Sequence, residues 1–308
     1  MHGIGDTIYA RPFIRLLAED PENEVYLLTG LPFIFRDLPV KFLEIRPDQT
    51  LRHASKWLKG ANFEFTPPPE AFDQEIDYFY GNDHILGQNG KRMNSIITHM
   101  EQSFGFEPGS TKPVFDLPPL PHHGLNLPVD KKIAVVHPST TRREFVCPTR
   151  APKDNYIPWC SKTLMDQGWH VISIADCEDD KEWIERRAEP LAHERYHQGE
   201  LGLERTLSLL QSADLIVGGP CFILPAGVAA QTNLFIIFGG RGKFDNPHKL
   251  FDLRMDLTKI HWVLPDNFCR CTLPVHDCDK TISNLDDAFY RVVREVQLQD
   301  KQNGEKNV

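Results

Sequence analysis

The chain has 308 residues, 41% of them hydrophobic and 25% charged, enough for two ordinary cores and with the balance of a globular protein. Its 34 Lys and Arg against 43 Asp and Glu leave a net charge of -9, which excludes a general electrostatic grip on nucleic acid but not a local basic patch. No apolar run has the length of a membrane span and the start lacks the basic-then-apolar pattern of a secretory signal, so a cytoplasmic location is expected.

The chain opens on Gly3-Ile4-Gly5-Asp6-Thr7, a turn whose glycines let backbone come close to a ligand, feeding a helix from about Thr7 with Phe13, Ile14, Leu16 and Leu17 as its apolar residues. A strand follows over Glu24 to Leu28, another over Lys41 to Ile45, a helix over Leu51 to Leu58, a strand over Ile76 to Tyr80 and a helix over Ser95 to Phe104. This alternation is that of β-α units around a parallel sheet. Such a sheet normally aims its first turn with an apolar strand, and only Met1 and His2 precede this one, so the natural chain is expected to start upstream of Met1.

From Phe106 to Pro128 six prolines (Pro108, Pro113, Pro118, Pro119, Pro121, Pro128) accompany His122-His123-Gly124, a composition that continues neither helix nor central strand and reads as a linker. Alternation then restarts: strand Ile133 to Val136, helix Tyr156 to Met165, strand His170 to Ala175, helix Asp180 to Leu191, helix Leu203 to Ser212, strand Asp214 to Val217 and strand Leu234 to Phe238 before Gly239-Gly240. Ser283 followed by Asp286 reads as a capping box, and Leu285, Phe289, Val292, Val293 and Val296 form the apolar stripe of a last helix before a polar tail. The expected domains are residues 1–125, with the linker at their end, residues 126–282, and a helix and tail over 283–308.

The motifs and their order resemble glycosyltransferase family 9, the lipopolysaccharide heptosyltransferases and their relatives. The Gly-Asp turn, five residues, a proline at Pro12 and an apolar helix resemble the family's opening, and Ile133-Ala134-Val135-Val136-His137-Pro138-Ser139 resembles its strand ending in His-Pro-Gly. Leu203 to Gly218 looks like the family's helix leading into Ala-Asp-Leu-Val-Val-Gly, and Pro220 to Phe238 parallels its turn, small-residue helix and final strand. The resemblance spans nearly the whole chain. It implies an α/β fold of the GT-B type, two Rossmann-like domains with a cleft, the last helix returning to the first domain, and an inverting, metal-independent transfer from a nucleoside-diphosphate sugar resembling ADP-heptose. The acceptor hydroxyl would belong to a glycan, a protein or a modified base; the sugar nucleotide is a co-substrate, and no cofactor is expected.

By the same resemblance Asp6 is the candidate general base, because a sugar hydroxyl is a poor nucleophile until a carboxylate takes its proton. Its other role is to cap the helix, and one residue can do both. Gly3, Gly5 and Thr7, which line that turn, are candidate substrate- or donor-binding residues. The diphosphate needs backbone N–H groups and Arg or Lys side chains, for which His137, Ser139, Arg142, Arg143, Arg150 and Lys153 are the candidates, against a reading of the four cations as solvated loop charges. The family's Lys-Arg-Trp-Pro stretch is replaced by Arg150-Ala151-Pro152-Lys153-Asp154-Asn155-Tyr156, so the phosphate contact falls to Arg150 or to Lys153.

Gly218, Gly219, Pro220 and Cys221 occupy the turn where the family carries Asn-Asp-Ser-Gly and then His; the carboxylate and the histidine are missing, which leaves backbone donation to phosphate or a tight strand-to-helix turn. The seven cysteines, odd in number, read as reduced thiols. Cys269, Cys271 and Cys278, with His276, lack the paired Cys-x-x-Cys spacing of a closed zinc site, so a loop-packing role is expected and no metal. Two rivals remain: a catalytically inactive relative kept as a binding or scaffold subunit, and a nucleotide-sugar epimerase, which needs an acid-base pair the sequence does not reveal.

Overall fold

The computed structural model describes residues 3–61, 63–76, 95–185 and 188–305. The chain divides into two compact units, one running to Pro121 with Gly202–Glu204 and Pro247–Asp256 added, the other made of His122–Leu201, Arg205–Asn246 and Leu257–Val308. Both are mixed α/β.

In the first unit α1 (Ile4–Ala18) buries Ile8, Phe13 and Ile14, and the Phe13 ring stacks on Phe104 with centroids 5.8 Å apart. Burying such a ring contributes about 2–3 kcal/mol. Arg11 lies wholly buried on the same helix, a costly position for a charge unless it is paired. Its guanidinium donates to Asp37 Oδ2 at 2.7 Å and to Asp116 Oδ1 at 3.0 Å, which ties the proline-rich stretch onto α1. Strands β1 (Val25–Leu27) and β2 (Val40–Phe42) pair in parallel, and Leu43 bridges to Thr66. Then come α2 (Arg52–Gly60) and α3 (Ile96–Ser103), the latter capped by the Ser95 hydroxyl, which accepts the Thr98 N–H at 3.2 Å. The strand expected over Ile76 to Tyr80 lies, past its first residue, outside the described residues.

The second unit is built on a six-stranded parallel sheet. Its strands are β3 (Ile133–His137), β5 (His170–Ile174), β7 (Glu194–Tyr196), β8 (Leu215–Gly218), β9 (Leu234–Ile237) and β10 (Ile260–Val263), in the order β10-β9-β8-β3-β5-β7. Strands β3, β8 and β9 are continuous apolar runs because both sheet faces are covered. Helices α4 (Tyr156–Asp166), α5 (Gly202–Ser212) and α6 (Ile223–Ala230) connect them, a four-residue α7 (Pro247–Leu250) belongs to the first unit, and α8 (Leu285–Glu305) ends the chain.

Two expectations change here. Asp180 to Leu191 is not a helix: Asp180 has φ +61 in a turn, and β6 (Glu182–Ile184) doubles back to pair antiparallel with β4 (Thr140–Arg142). The left-handed residue starts a hairpin, which an Asp tolerates better than most residues do. The last helix was expected to return to the first domain, yet Phe289, Val292, Val293 and Val296 lie in the core of the second unit, with Phe289 5.1 Å from the Phe235 ring and 5.7 Å from Trp159. Nor is Ser283 its cap. Asn284 offers the first helical carbonyl, to Ala288, while Ser283 is held by Asp266.

Candidate functional site

The order of the central sheet reverses at β3. After it the chain adds β5 and β7 on one side, then crosses to add β8, β9 and β10 on the other, so the switch lies between β3 and β8. In open parallel sheets neighbouring crossovers leave opposite faces at such a point, and the crevice where ligands bind lies there, at the strand C-termini. His137 ends β3 directly opposite Gly218, which ends β8. A Cβ on Gly218 would meet the Ile223 side chain and the His137 carbonyl, so glycine is what lets the chain turn from β8 straight into α6.

Around this crevice the sequence-stretch 147–153 runs across the strand ends. Gly239, just past β9, has no room for a Cβ because the Ala151 carbonyl passes over it, and a Cβ on Gly219 would sit tightly against Pro152, at 3.3 Å. The Gly240 N–H donates to the Thr149 carbonyl at 2.7 Å. This crossing sets Arg150 at the rim, its Nε 3.3 Å from Asp245 Oδ1, with Arg241 Nη1 3.5 Å from Asp245 Oδ2. Burial pushes the Asp245 carboxyl above its ordinary value, and the two guanidiniums only partly offset this. Two arginines therefore share one buried acid where the crevice begins.

The other sequence candidates take different partners. Ser139 is half-buried just beyond the end of β3. Arg142 lies on β4 opposite Glu182, with Glu144 at 4.0 Å, and Arg143 is exposed just past the end of β4. Lys153 Nζ donates to Thr281 Oγ1 at 2.7 Å. Of the four cations, Arg150 alone is the one fixed to the rim acid Asp245, and the structure does not gather the four on one group. Sequence reasoning missed Arg241 and Asp245; for Arg241 the signal was Gly239-Gly240-Arg241-Gly242 directly after a strand, where the structure sets Arg241 at φ +57.

Cys221, in the turn before α6, has its Sγ 3.6 Å from His137 Nδ1, and Phe222 sets its ring edge-on to the imidazole at 5.3 Å. In the first unit, Gly3 caps α1 and its N–H donates to Asp6 Oδ2 at 3.2 Å, while the Thr7 hydroxyl donates to the Gly3 carbonyl at 3.0 Å. Asp6 is half-buried, and Gly5 sits in the first turn.

A separate cluster gathers Cys269, Cys271, His276 and Cys278, whose ligand atoms all lie within 4.8 Å of one another. Cys271 and Cys278 sulfurs are 3.6 Å apart, Cys269 Sγ is 3.7 Å from His276 Nδ1, and His276 Nδ1 is 3.1 Å from Cys278 Sγ. Tetrahedral ligands on a metal–sulfur bond of about 2.3 Å sit about 3.7 Å apart, so three thiols and an imidazole in this spacing fit a tetrahedral ion of the zinc or iron kind. Spacing along the chain did not show this, because the turn around Pro274 folds His276 and Cys278 back on Cys269 and Cys271. The cluster abuts the site loop: a Cβ on Gly240 would run into Cys278 Sγ.

Among the described residues no helix is long and apolar enough to cross a membrane. No protein family and no curated protein matches the chain by sequence. By structure it is similar to the dodecameric iron-containing glycosyltransferase TibC of enterotoxigenic E. coli H10407, with a TM-score of 0.60 at 14% identity over 97% of this chain and 74% of that one. TibC described as a heptosyltransferase in complex with ADP-D-beta-D-heptose gives 0.58 at 13% identity over the same shares. The E. coli ADP-heptose lipopolysaccharide heptosyltransferase II gives 0.51 at 10% identity, covering 97% of each chain.

Proposed function

The chain has the α/β fold of the heptosyltransferases, and from that premise we propose that it is a glycosyltransferase taking its sugar from a nucleoside diphosphate. The observation that carries the reading is the reversal of strand order between β3 and β8, beside the Arg150, Arg241 and Asp245 cluster. Anionic ligands bind at such points through helix-start N–H groups and arginines. In this reading Gly219 to Phe222 offer backbone N–H groups and Arg150 neutralises a phosphate.

The donor is of the ADP-heptose type and transfer is inverting. Asp6 takes the proton of the acceptor hydroxyl as its oxygen bonds to the anomeric carbon and the sugar's bond to the diphosphate breaks; the diphosphate leaves with both electrons, its charge met by Arg150. The acceptor is a hydroxyl of a glycan, protein or modified base. No metal takes part at the reacting atoms.

The Cys269, Cys271, His276 and Cys278 cluster supports a second element of the proposal, a structural zinc or iron ion. When bound, such an ion crosslinks the 269–278 loop and so braces Gly240 and the rim behind Arg150. Calorimetry with ADP, UDP, GDP and adenosine tests the donor reading. ADP binding at least tenfold tighter than adenosine is expected, and binding of none of the diphosphates would remove it.

A further inference from the structure

Cys221 occupies the turn from β8 into α6 and is partly exposed, unlike Cys160, which is wholly buried and whose thiol burial pushes well up. Burial also opposes charge on Cys221, but the neighbouring His137 imidazole 3.6 Å away, the Ile223 backbone N–H and the field of Arg150 outweigh it and hold the thiol below its ordinary range. His137 answers in kind: against burial, Cys221 and Glu182 favour its protonated form, and its charge in turn disfavours protonation of His197, which bonds Ser173 Oγ at 2.8 Å. A partly exposed cysteine whose sulfur lies beside an imidazole at the start of a helix has the arrangement that makes a cysteine attack disulfides.

We propose that Cys221 is a thiol–disulfide exchange site, reacting with small peptide disulfides such as glutathione disulfide, and that the adduct closes the crevice at the ends of β3 and β8. The Cys221 thiolate attacks one sulfur of the disulfide, forming Cys221–S–S–R as the old S–S bond breaks. The leaving thiolate takes the proton from His137, which becomes neutral, and excess free thiol reverses the exchange. A bulky, acidic group then stands at the turn that offers N–H groups to phosphate. This last step rests on the donor reading above; the exchange does not.

The full chain is treated with glutathione disulfide, and uptake is followed cysteine by cysteine by peptide mass spectrometry, with ADP affinity measured on the same samples. Cys221 is expected to be modified ahead of the partly exposed Cys147 and Cys177, with a pH midpoint below the ~8.5 of an ordinary thiol, and His137→Asn to slow it about tenfold at pH 7. ADP affinity should fall at least tenfold, return with dithiothreitol, and be insensitive to the disulfide in Cys221→Ala whatever that variant's starting affinity. Uptake at Cys221 no faster than at Cys147, or a midpoint at the ordinary value in the wild type, overturns the exchange site without reference to any variant's folding. Fast uptake with unchanged ADP affinity overturns the closure. If the untreated protein binds no nucleoside diphosphate while Cys221 exchanges fast, the donor reading fails and the exchange site stands.

Discussion

The Asp6 carboxylate accepts the Gly3 N–H at 3.2 Å, so the acid assigned to acceptor activation also closes the first turn of α1. The two roles separate on substitution. Asp6→Asn keeps an oxygen acceptor for Gly3 and loses only the favourable charge at a helix start, a cost of about 1 kcal/mol or less. Turnover, measured as release of nucleoside diphosphate, should fall a hundredfold or more. Asp6→Ala should lose a further ~1 kcal/mol of stability. Full turnover in the Asn variant would leave Asp6 with the cap alone and favour a scaffold role for the chain.

Arg150 and Lys153 no longer stand as equals. Arg150 is held at the strand rim by Asp245, whereas Lys153 is engaged with Thr281. Arg150→Ala should weaken ADP about tenfold and leave adenosine nearly as it was, because only the diphosphate carries charge to be paired. Lys153→Ala should change both by less than twofold. Calorimetry decides, and equal losses for ADP and adenosine in Arg150→Ala would move the diphosphate elsewhere, with Arg142 and Arg143 next in line.

The thiol cluster makes a prediction that needs no substrate. Purified protein should carry about one equivalent of zinc or iron by elemental analysis, and Cys271→Ser should lose most of it. A strong chelator should lower the melting temperature of the wild type and leave the variant unmoved, since binding to the native state is stabilising. Metal-free wild type that also takes up no added zinc would return these residues to loop packing.

Acid stability follows from Asp252. Burial favours its neutral form, but the Arg254 guanidinium at 2.8 Å, the Ser95 hydroxyl at 2.6 Å and the Arg254 N–H outweigh this and hold the carboxyl at about 2. The folded value lies below the ~3.9 of an unfolded Asp, so the stabilisation is complete above pH ~4 and is lost as pH falls from about 4 to about 2. Asp252→Asn should therefore lower the melting temperature most above pH 4, with the gap to wild type closing towards pH 2. A gap constant from pH 2 to 6 would refute the assignment.

The parts of the fold legible in the sequence are those fixed by burial on both sides. Ile133 to Val136, Leu215 to Val217 and Leu234 to Ile237 are apolar without interruption, and only a covered parallel sheet accepts such runs. Helix α8 shows its stripe, but a stripe says that a face is buried and not against which partner, which is why its place in the second unit was not foreseen. The stretch after Cys177 was misread because acids suit a helix start as well as they suit a turn, and only the left-handed Asp180 decides between them. In the candidate site, His137, Gly218 and Cys221 follow from strand ends. Asp245 lies apart from every motif and is recognisable only once folding sets it beside Arg150.

The strand order also fixes what is at risk while the chain is being made. β3 is the first strand of the six-stranded sheet to be synthesised and lies at its middle. One of its edges is covered soon by β5, but the other waits until Leu215 arrives to pair beside Ala134. Through that interval the nascent protein carries an open ladder that is apolar up to His137, the kind of edge that recruits foreign strands. The same connection that places His137 beside Gly218 thus makes yield in the cell depend on how quickly β8 follows β3, and slowed translation between them should send more of the chain into aggregates.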